Sequence, residues 1–209
     1  GAAPTCERRG VIRHPCNRAA TCPYREAGVA AGRRALEVVD GRALSLGGRP
    51  RRLLAFFLLH ANELVASERL IDALWGERPP ETAQAALQVH VSQLRKALGQ
   101  ERIETRAPGY LFRLGPDELD ASRFEVMLGE SRPEEALALW RGPALADFRY
   151  EPWAQAESAR LEELRLAAVE ERIEADLARG RHAQLVSELE ALVREQPLRE
   201  RQRGQLMLA

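Results

Sequence analysis

AALQVHVSQLRKAL at positions 85–98, followed closely by TRAPGYLFRL at 105–114, decides the fold of this chain. Leu87, Val91, Leu94 and Leu98 recur at 4, 3, 4 spacing and line up as one apolar stripe on a helix. The opposite side carries Thr82, Ala85, Val89, Ser92, Gln93 and Lys96, with Gln88 and Arg95 at its flanks. No acid lies on that side, whereas an ordinary solvated helix face mixes Asp and Glu with its cations. A face of short, polar or singly basic groups can enter a groove lined with phosphate. The reading is a DNA-contacting helix over 81–98, with an apolar stripe facing a core.

The neighbouring segments build a frame around it. RPRRLLAFFLLHAN (49–62) is apolar on nearly every side from Leu53 to Leu59, which suits a helix at the centre of a core with Arg49, Arg51 and Arg52 at its entrance. Ser67 reads as the N-cap of a helix over 68–76 with Leu70, Ile71, Leu74 and Trp75 inside and Gly76 at its end. Pro79-Pro80 forbids continuation and presets the next helix, which Gly99 closes. Residues 102–105 and 110–113 alternate like strands about the turn Arg106-Ala107-Pro108-Gly109. Upstream, residues 36–39 and 43–46 flank Asp40-Gly41 in the same way. Strands, three helices and a hairpin, in that order, make a winged helix-turn-helix with a strand pair in front.

With these runs in place, residues 36–114 resemble the OmpR/PhoB type of DNA-binding domain, in the version found in Streptomyces antibiotic regulatory proteins and their AfsR-like relatives. The resemblance rests on LGG (46–48), RRLLAFFLLHAN (51–62), RLIDALWGERPPETA (69–83), ALQVHVSQLRKALG (86–99) and TRAPGYLFRL (105–114). It continues through LDASRFE (119–125), ALALWRGPALAD (136–147), residues 151–193 and PLRERQRGQLMLA (197–209), which are similar to a bacterial transcriptional activation domain built of tetratricopeptide-like helical pairs. The residues themselves read as helical there. Leu161, Leu164 and Ala168 form a stripe, Arg179-Gly180-Arg181 breaks it, Leu185, Leu189 and Leu192 resume it, and Pro197 opens another helix. The expected fold is mainly α: a winged helix-turn-helix with small β hairpins (α+β), followed by an all-α tetratricopeptide-like domain. The expected division is a disordered tail over 1–34, a DNA-binding domain over 35–115 and the helical domain over 116–209.

The chain departs from the family in three places. Residues 25–34 stand where the family has an apolar first strand. The segment between Phe124 and Trp140 is too short for two full helices, so the first helical pair is shortened. Leu206, Met207 and Leu208 stand part way through what should be another repeat helix, so an exposed apolar end is expected unless the sequence is part of a longer protein or the end packs against another chain.

Composition narrows the function. The chain has 209 residues, 45% of them hydrophobic, and its 31 basic residues balance its 31 acidic ones. The balance is uneven along the chain: 8 basic against 4 acidic over 1–48, 10 against 7 over 49–115, and 13 against 20 over 116–209. A positive front joined to an acidic back suits a DNA-binding part beside a protein-binding part. No apolar run is long enough for a membrane span, and a cytoplasmic, nucleoid-associated location is expected. Cys6, His14, Cys16 and Cys22 supply four metal-ligating side chains, but their spacings fit no common site, so neither metal nor cofactor is expected. Phosphate loops, nucleophile elbows and metal-spaced clusters are missing from the sequence, which argues against an enzyme.

On the DNA reading, Val89, Ser92, Gln93 and Lys96 point at bases and backbone, with Thr82 and Gln88 at the edges of the same face. Gln93 suits a bidentate contact to adenine and Val89 a thymine methyl. His90, Arg95 and Lys96 suit phosphates. The resemblance implies that Arg106, at the hairpin tip, enters the adjacent minor groove. It also implies tandem binding to direct repeats of double-stranded DNA, with RNA polymerase and a second copy of the chain as partners of the helical domain. Trp75, Trp140 and Trp153 read as packing residues, and Arg51 and Arg52 carry no assigned role. A competing reading is an interaction scaffold whose winged helix no longer reads DNA, favoured by the excess of only three cations over 49–115.

Overall fold

The structure, a computed structural model, describes residues 38–39, 42–43, 46–116 and 118–209. The tail over 1–34, with its cysteines and His14, lies outside the described residues. β1 (Val38–Val39) and β2 (Arg42–Ala43) pair antiparallel, as the front hairpin predicts. α1 (Gly48–Leu59), α2 (Ser67–Trp75) and α3 (Ala83–Leu98) follow. A three-stranded antiparallel sheet in the order β3-β5-β4 completes the winged helix, with β4 (Ile103–Arg106) and β5 (Gly109–Phe112) as the wing.

β3 (Leu64–Ala66) is the element that periodicity did not announce. Three residues are too few to display alternation, and the strand exists because β5 offers a partner: Val65 pairs with Tyr110 and Ala66 with Gly109. Gly109 is required there, since a Cβ at that position would sit 1.8 Å from the Val65 carbonyl oxygen. Two helix starts also differ from expectation. Ser67 is the first residue of α2 rather than its cap, and its N–H donates to the Pro108 carbonyl at 3.2 Å. α3 begins at Ala83, two residues beyond the expected start, because Ala83 N–H closes a turn onto the Pro80 carbonyl at 2.9 Å. Thr82 is left just outside the helix.

α1 is the centre of the core. Leu53, Leu54, Ala55, Phe56, Phe57 and Leu58 are all buried, so every side of the helix needs cover. Leu70 and Leu74 of α2 and Leu87, Val91 and Leu94 of α3 supply one part of it, and the sheet another, with Phe57 stacked on Phe112 at 5.7 Å. Asn62, in left-handed conformation, fastens the sheet to the end of α1: its amide donates to the Leu114 carbonyl at 3.0 Å and accepts from the Leu114 N–H at 3.1 Å.

The remaining cover comes from the second half of the chain. α4 (Asp120–Gly129) and the five-residue α5 (Pro133–Leu137) form the shortened pair. α6 (Pro152–Ala178) is the spine, at 27 residues roughly 40 Å long. Its first turns join the α1 core, where Trp153 packs edge-on against Phe56 at 5.4 Å and lies tilted against Phe148 at 5.5 Å. Ion pairs from Arg51 to Asp147 and from Arg52 to Glu151 flank that contact. Ser158 and Glu162 of α6 hold the preceding loop through the Ala144 backbone. Further along α6, Ala168 packs with Phe124 and Ala136, while Ile173 packs with Leu185 and Leu189 of α7 (His182–Glu195). α8 (Glu200–Leu208) starts after Pro197, which lies in the turn rather than opening the helix. At the end of α8 Met207 and Leu208 are exposed as expected, but Leu206 is not: it packs against the Ile173 cluster.

One apolar cluster thus runs from Leu53 through Phe112 to Ala154 and Leu161, across both halves. Urea unfolding followed by circular dichroism is expected to give a single transition. Trp153→Ala is expected to lower the stability by about 3 kcal/mol, the low end for an aromatic truncation, and two resolved transitions in the wild type would show halves that fold independently.

Candidate nucleic-acid interface

α3 is held by its apolar stripe, which leaves the other side in solvent. Leu87, Val91 and Leu94 are buried, while Gln88, Val89, Ser92, Gln93 and Lys96 are exposed on α3, as is Thr82 just before it. Val89 is 54% exposed, an apolar side chain in the middle of a polar face. The helix carries no acid anywhere along its length. Its cations, Arg95 and Lys96, lie in the last turn, where they also complement the helix dipole.

The nine site residues do not all stand free on this face. His90 is half-buried: its ring stacks on Trp75 at 6.1 Å, and Nδ1 lies 3.4 Å from Gln93 Oε1. Trp75 in turn has the Arg49 guanidinium 5.6 Å from its ring. Arg95 is turned towards the wing. Its Nε and Nη2 donate to the Ile103 carbonyl at 3.0 and 2.7 Å, and Nη2 also donates to Thr105 Oγ1 at 2.8 Å. The guanidinium thereby fixes the angle between α3 and β4. Lys96, the only lysine in the chain, is exposed and forms no ion pair among the described residues.

The wing supplies Arg106, exposed near its tip and 2.8 Å from Glu104 Oε2. Glu104 also accepts from Arg113 Nε at 2.7 Å. The Arg113 hydrogen bond, then the charges of Arg106 and Arg113, hold the Glu104 carboxyl below its ordinary range against the effect of desolvation. At the base of the wing, Arg102 grips Glu118 with two bonds of 2.6 and 2.8 Å. Burial pushes the Glu118 carboxyl up, but the Arg102 bond, the Gly115 N–H and the Arg102 charge together outweigh it, and its pKa is lowered. Sequence reasoning missed Glu104, Arg113 and the Arg95 clamp. The alternation of β4 places Glu104 and Arg106 on one side, a signal that was available, but bonds to backbone carbonyls leave no trace in composition.

Comparisons with known proteins cover both halves of the chain. Residues 41–112 match the family described as "Transcriptional regulatory protein, C terminal", and residues 119–209 match "Bacterial transcriptional activator domain". DnrI of Streptomyces peucetius is 36% identical over 186 residues, which cover 77% of this chain and 68% of DnrI. The chain belongs to the Streptomyces antibiotic regulatory protein family. Another member, AfsR of Streptomyces coelicolor, is 39% identical over 186 residues, 81% of this chain but only 19% of AfsR. A solved structure of Mycobacterium tuberculosis EmbR, in complex with a low affinity phosphopeptide, superposes with a TM-score of 0.76 at 30% identity. That match covers 86% of this chain and 52% of EmbR. The mainly helical fold with a winged helix in front is therefore shared within the family, and its members are transcriptional regulators.

Two consequences of the geometry can be measured. Arg95→Ala leaves the Ile103 carbonyl and Thr105 without their donor, and is expected to cost about 1–3 kcal/mol in urea unfolding. Glu118, whose folded pKa is depressed, stabilises the fold above its unfolded value near 4.5 and loses that contribution as pH falls through the folded value. Glu118→Gln is therefore expected to be less stable than wild type at neutral pH, and the gap should close under acid; a gap that stays constant with pH would contradict the assignment.

Proposed function

We propose that this chain is a sequence-specific DNA-binding transcriptional activator that reads the major groove with α3. The observation that carries the reading is the outward face of α3: acid-free, with exposed Val89 set among Gln88, Ser92, Gln93 and Lys96. Gln93 takes the bidentate adenine contact and Val89 the thymine methyl, each good base contact being worth about 1–3 kcal/mol of discrimination. Thr82, Gln88 and Ser92 meet base edges or the sugar-phosphate chain. Lys96 neutralises phosphate, and His90 donates a ring N–H to one. Arg95 acts by positioning: bonded to Ile103 and Thr105, it sets where the wing and Arg106 stand when α3 is in the groove.

Few cations remain for DNA. Arg51, Arg52, Arg102, Arg106 and Arg113 are each held by a carboxylate. Because phosphate contacts dominate affinity, one copy binds weakly, and occupancy of direct repeats by two copies supplies the rest. Residues 35–115 form the reading part, and the acidic residues 116–209 contact RNA polymerase or a second copy in the cytoplasm. The same engagement of cations favours the scaffold reading, in which the winged helix binds no DNA.

Fluorescence anisotropy of the chain against a random-site duplex library, at several salt concentrations, separates the two. Selected sites are expected to bind about a thousandfold or more tighter than bulk DNA, specific regulators spanning about 10³–10⁷. Gln93→Ala with Lys96→Ala is expected to remove most of that preference. Weak binding that selects no sequence and disappears near physiological salt would leave the scaffold.

A further inference from the structure

Glu104 is the one carboxylate on the wing strands, and it stands between two outward-facing arginines, Arg106 of β4 and Arg113 just beyond β5. β4 alternates, so Ile103 and Thr105 face α3 while Glu104 and Arg106 face away. The register sets Glu104 opposite Leu111, one residue pair from the end of β5, so Arg113 lies on the same side and reaches back to it. One oxygen of Glu104 takes Arg113 and the other takes Arg106. The outer side of the wing therefore presents one net positive charge where the two arginines alone would present two.

We propose that Glu104 is a built-in competitor for DNA phosphate, which withholds Arg106 and Arg113 from non-specific duplex and releases them only when α3 is seated on its site. The proposal rests on the DNA-binding function above and adds to it a residue that determines specificity without touching a base. Its chemistry is a simple exchange: the guanidinium groups leave a carboxylate for a phosphate diester, and no covalent bond changes. Both arginines are about half exposed, and an exposed ion pair is weak in water. A phosphate pressed against the wing by a correctly docked α3 can therefore displace the carboxylate. A phosphate met in passing during a loose encounter meets a wing already occupied. A glutamate carboxyl is ionised at neutral pH in any case, and the two arginines shift Glu104 further in that direction.

The test compares wild type with Glu104→Gln by anisotropy on a selected duplex and on a random duplex of equal length, over a salt series. The variant is expected to bind random duplex several-fold tighter, with its log-affinity against log-salt slope steeper by about one to two, since each phosphate contact adds close to 0.9. Its ratio of specific to non-specific affinity is expected to fall. Arg106→Gln should flatten the slope more in the Glu104→Gln background than in the wild type, a dependence that a purely structural role would not produce. Wild-type binding accompanied by unchanged or weaker binding of Glu104→Gln overturns the competitor while leaving the DNA-binding function intact. Failure of the wild type to bind any duplex at low salt overturns both.

Discussion

Six consecutive buried residues on α1, Leu53 to Leu58, constrain the rest of the structure. A helix normally buries a stripe and solvates the remainder. This one has no side fit for water over nearly two turns, so it must be enclosed. α2, α3 and the sheet of a winged helix enclose part of it, and the ring of Phe56 is completed from the second half of the chain by Trp153. The two parts of this chain are thus joined through a common interior. The orientation of the helical half relative to α3 follows from packing, with the Arg51–Asp147 and Arg52–Glu151 pairs setting the angle at the rim.

The candidate interface on α3 follows a different rule. Buried Leu87, Val91 and Leu94 hold α3 rigidly enough that its outward side can carry residues chosen for contact. The cations around it mostly serve the fold. Arg95 closes the wing onto α3, Arg102 anchors the wing's base to Glu118, and Arg106 and Arg113 share Glu104. With its cations so engaged, the module proposed above would take its discrimination from the fit of α3 in the groove and far less from general attraction to phosphate.

How much of this was legible in the sequence depends on the range of the interaction. The enclosed α1, the stripe of α3, the helix ends at Gly76 and Gly99 and the break at Gly180 all follow from local spacing or from backbone geometry that favours glycine, and each is present. β3 was not legible, because a three-residue strand exists only through its pairing with β5. Asn62 reaching Leu114, Arg95 reaching the Ile103 carbonyl and Trp153 reaching Phe56 are pairings across the chain or onto backbone atoms. They carry no periodicity. On the candidate interface the exposed side of α3 could be read directly, whereas the orientation of Arg95 away from it could not.

The contact between Phe56 and Trp153 also bears on synthesis at the ribosome. Bacterial chains emerge at about 5–20 residues per second, so Trp153 appears roughly 5 to 20 s after Phe56. Only for the last part of that interval, roughly 2 to 8 s after residue 115 has been added, is the winged helix fully translated with an aromatic ring uncovered, and exposed apolar surface of this kind attracts chaperones and proteases. A prematurely ended chain never leaves that condition. Incomplete products are therefore disposed towards degradation, so the winged helix does not accumulate without its helical half.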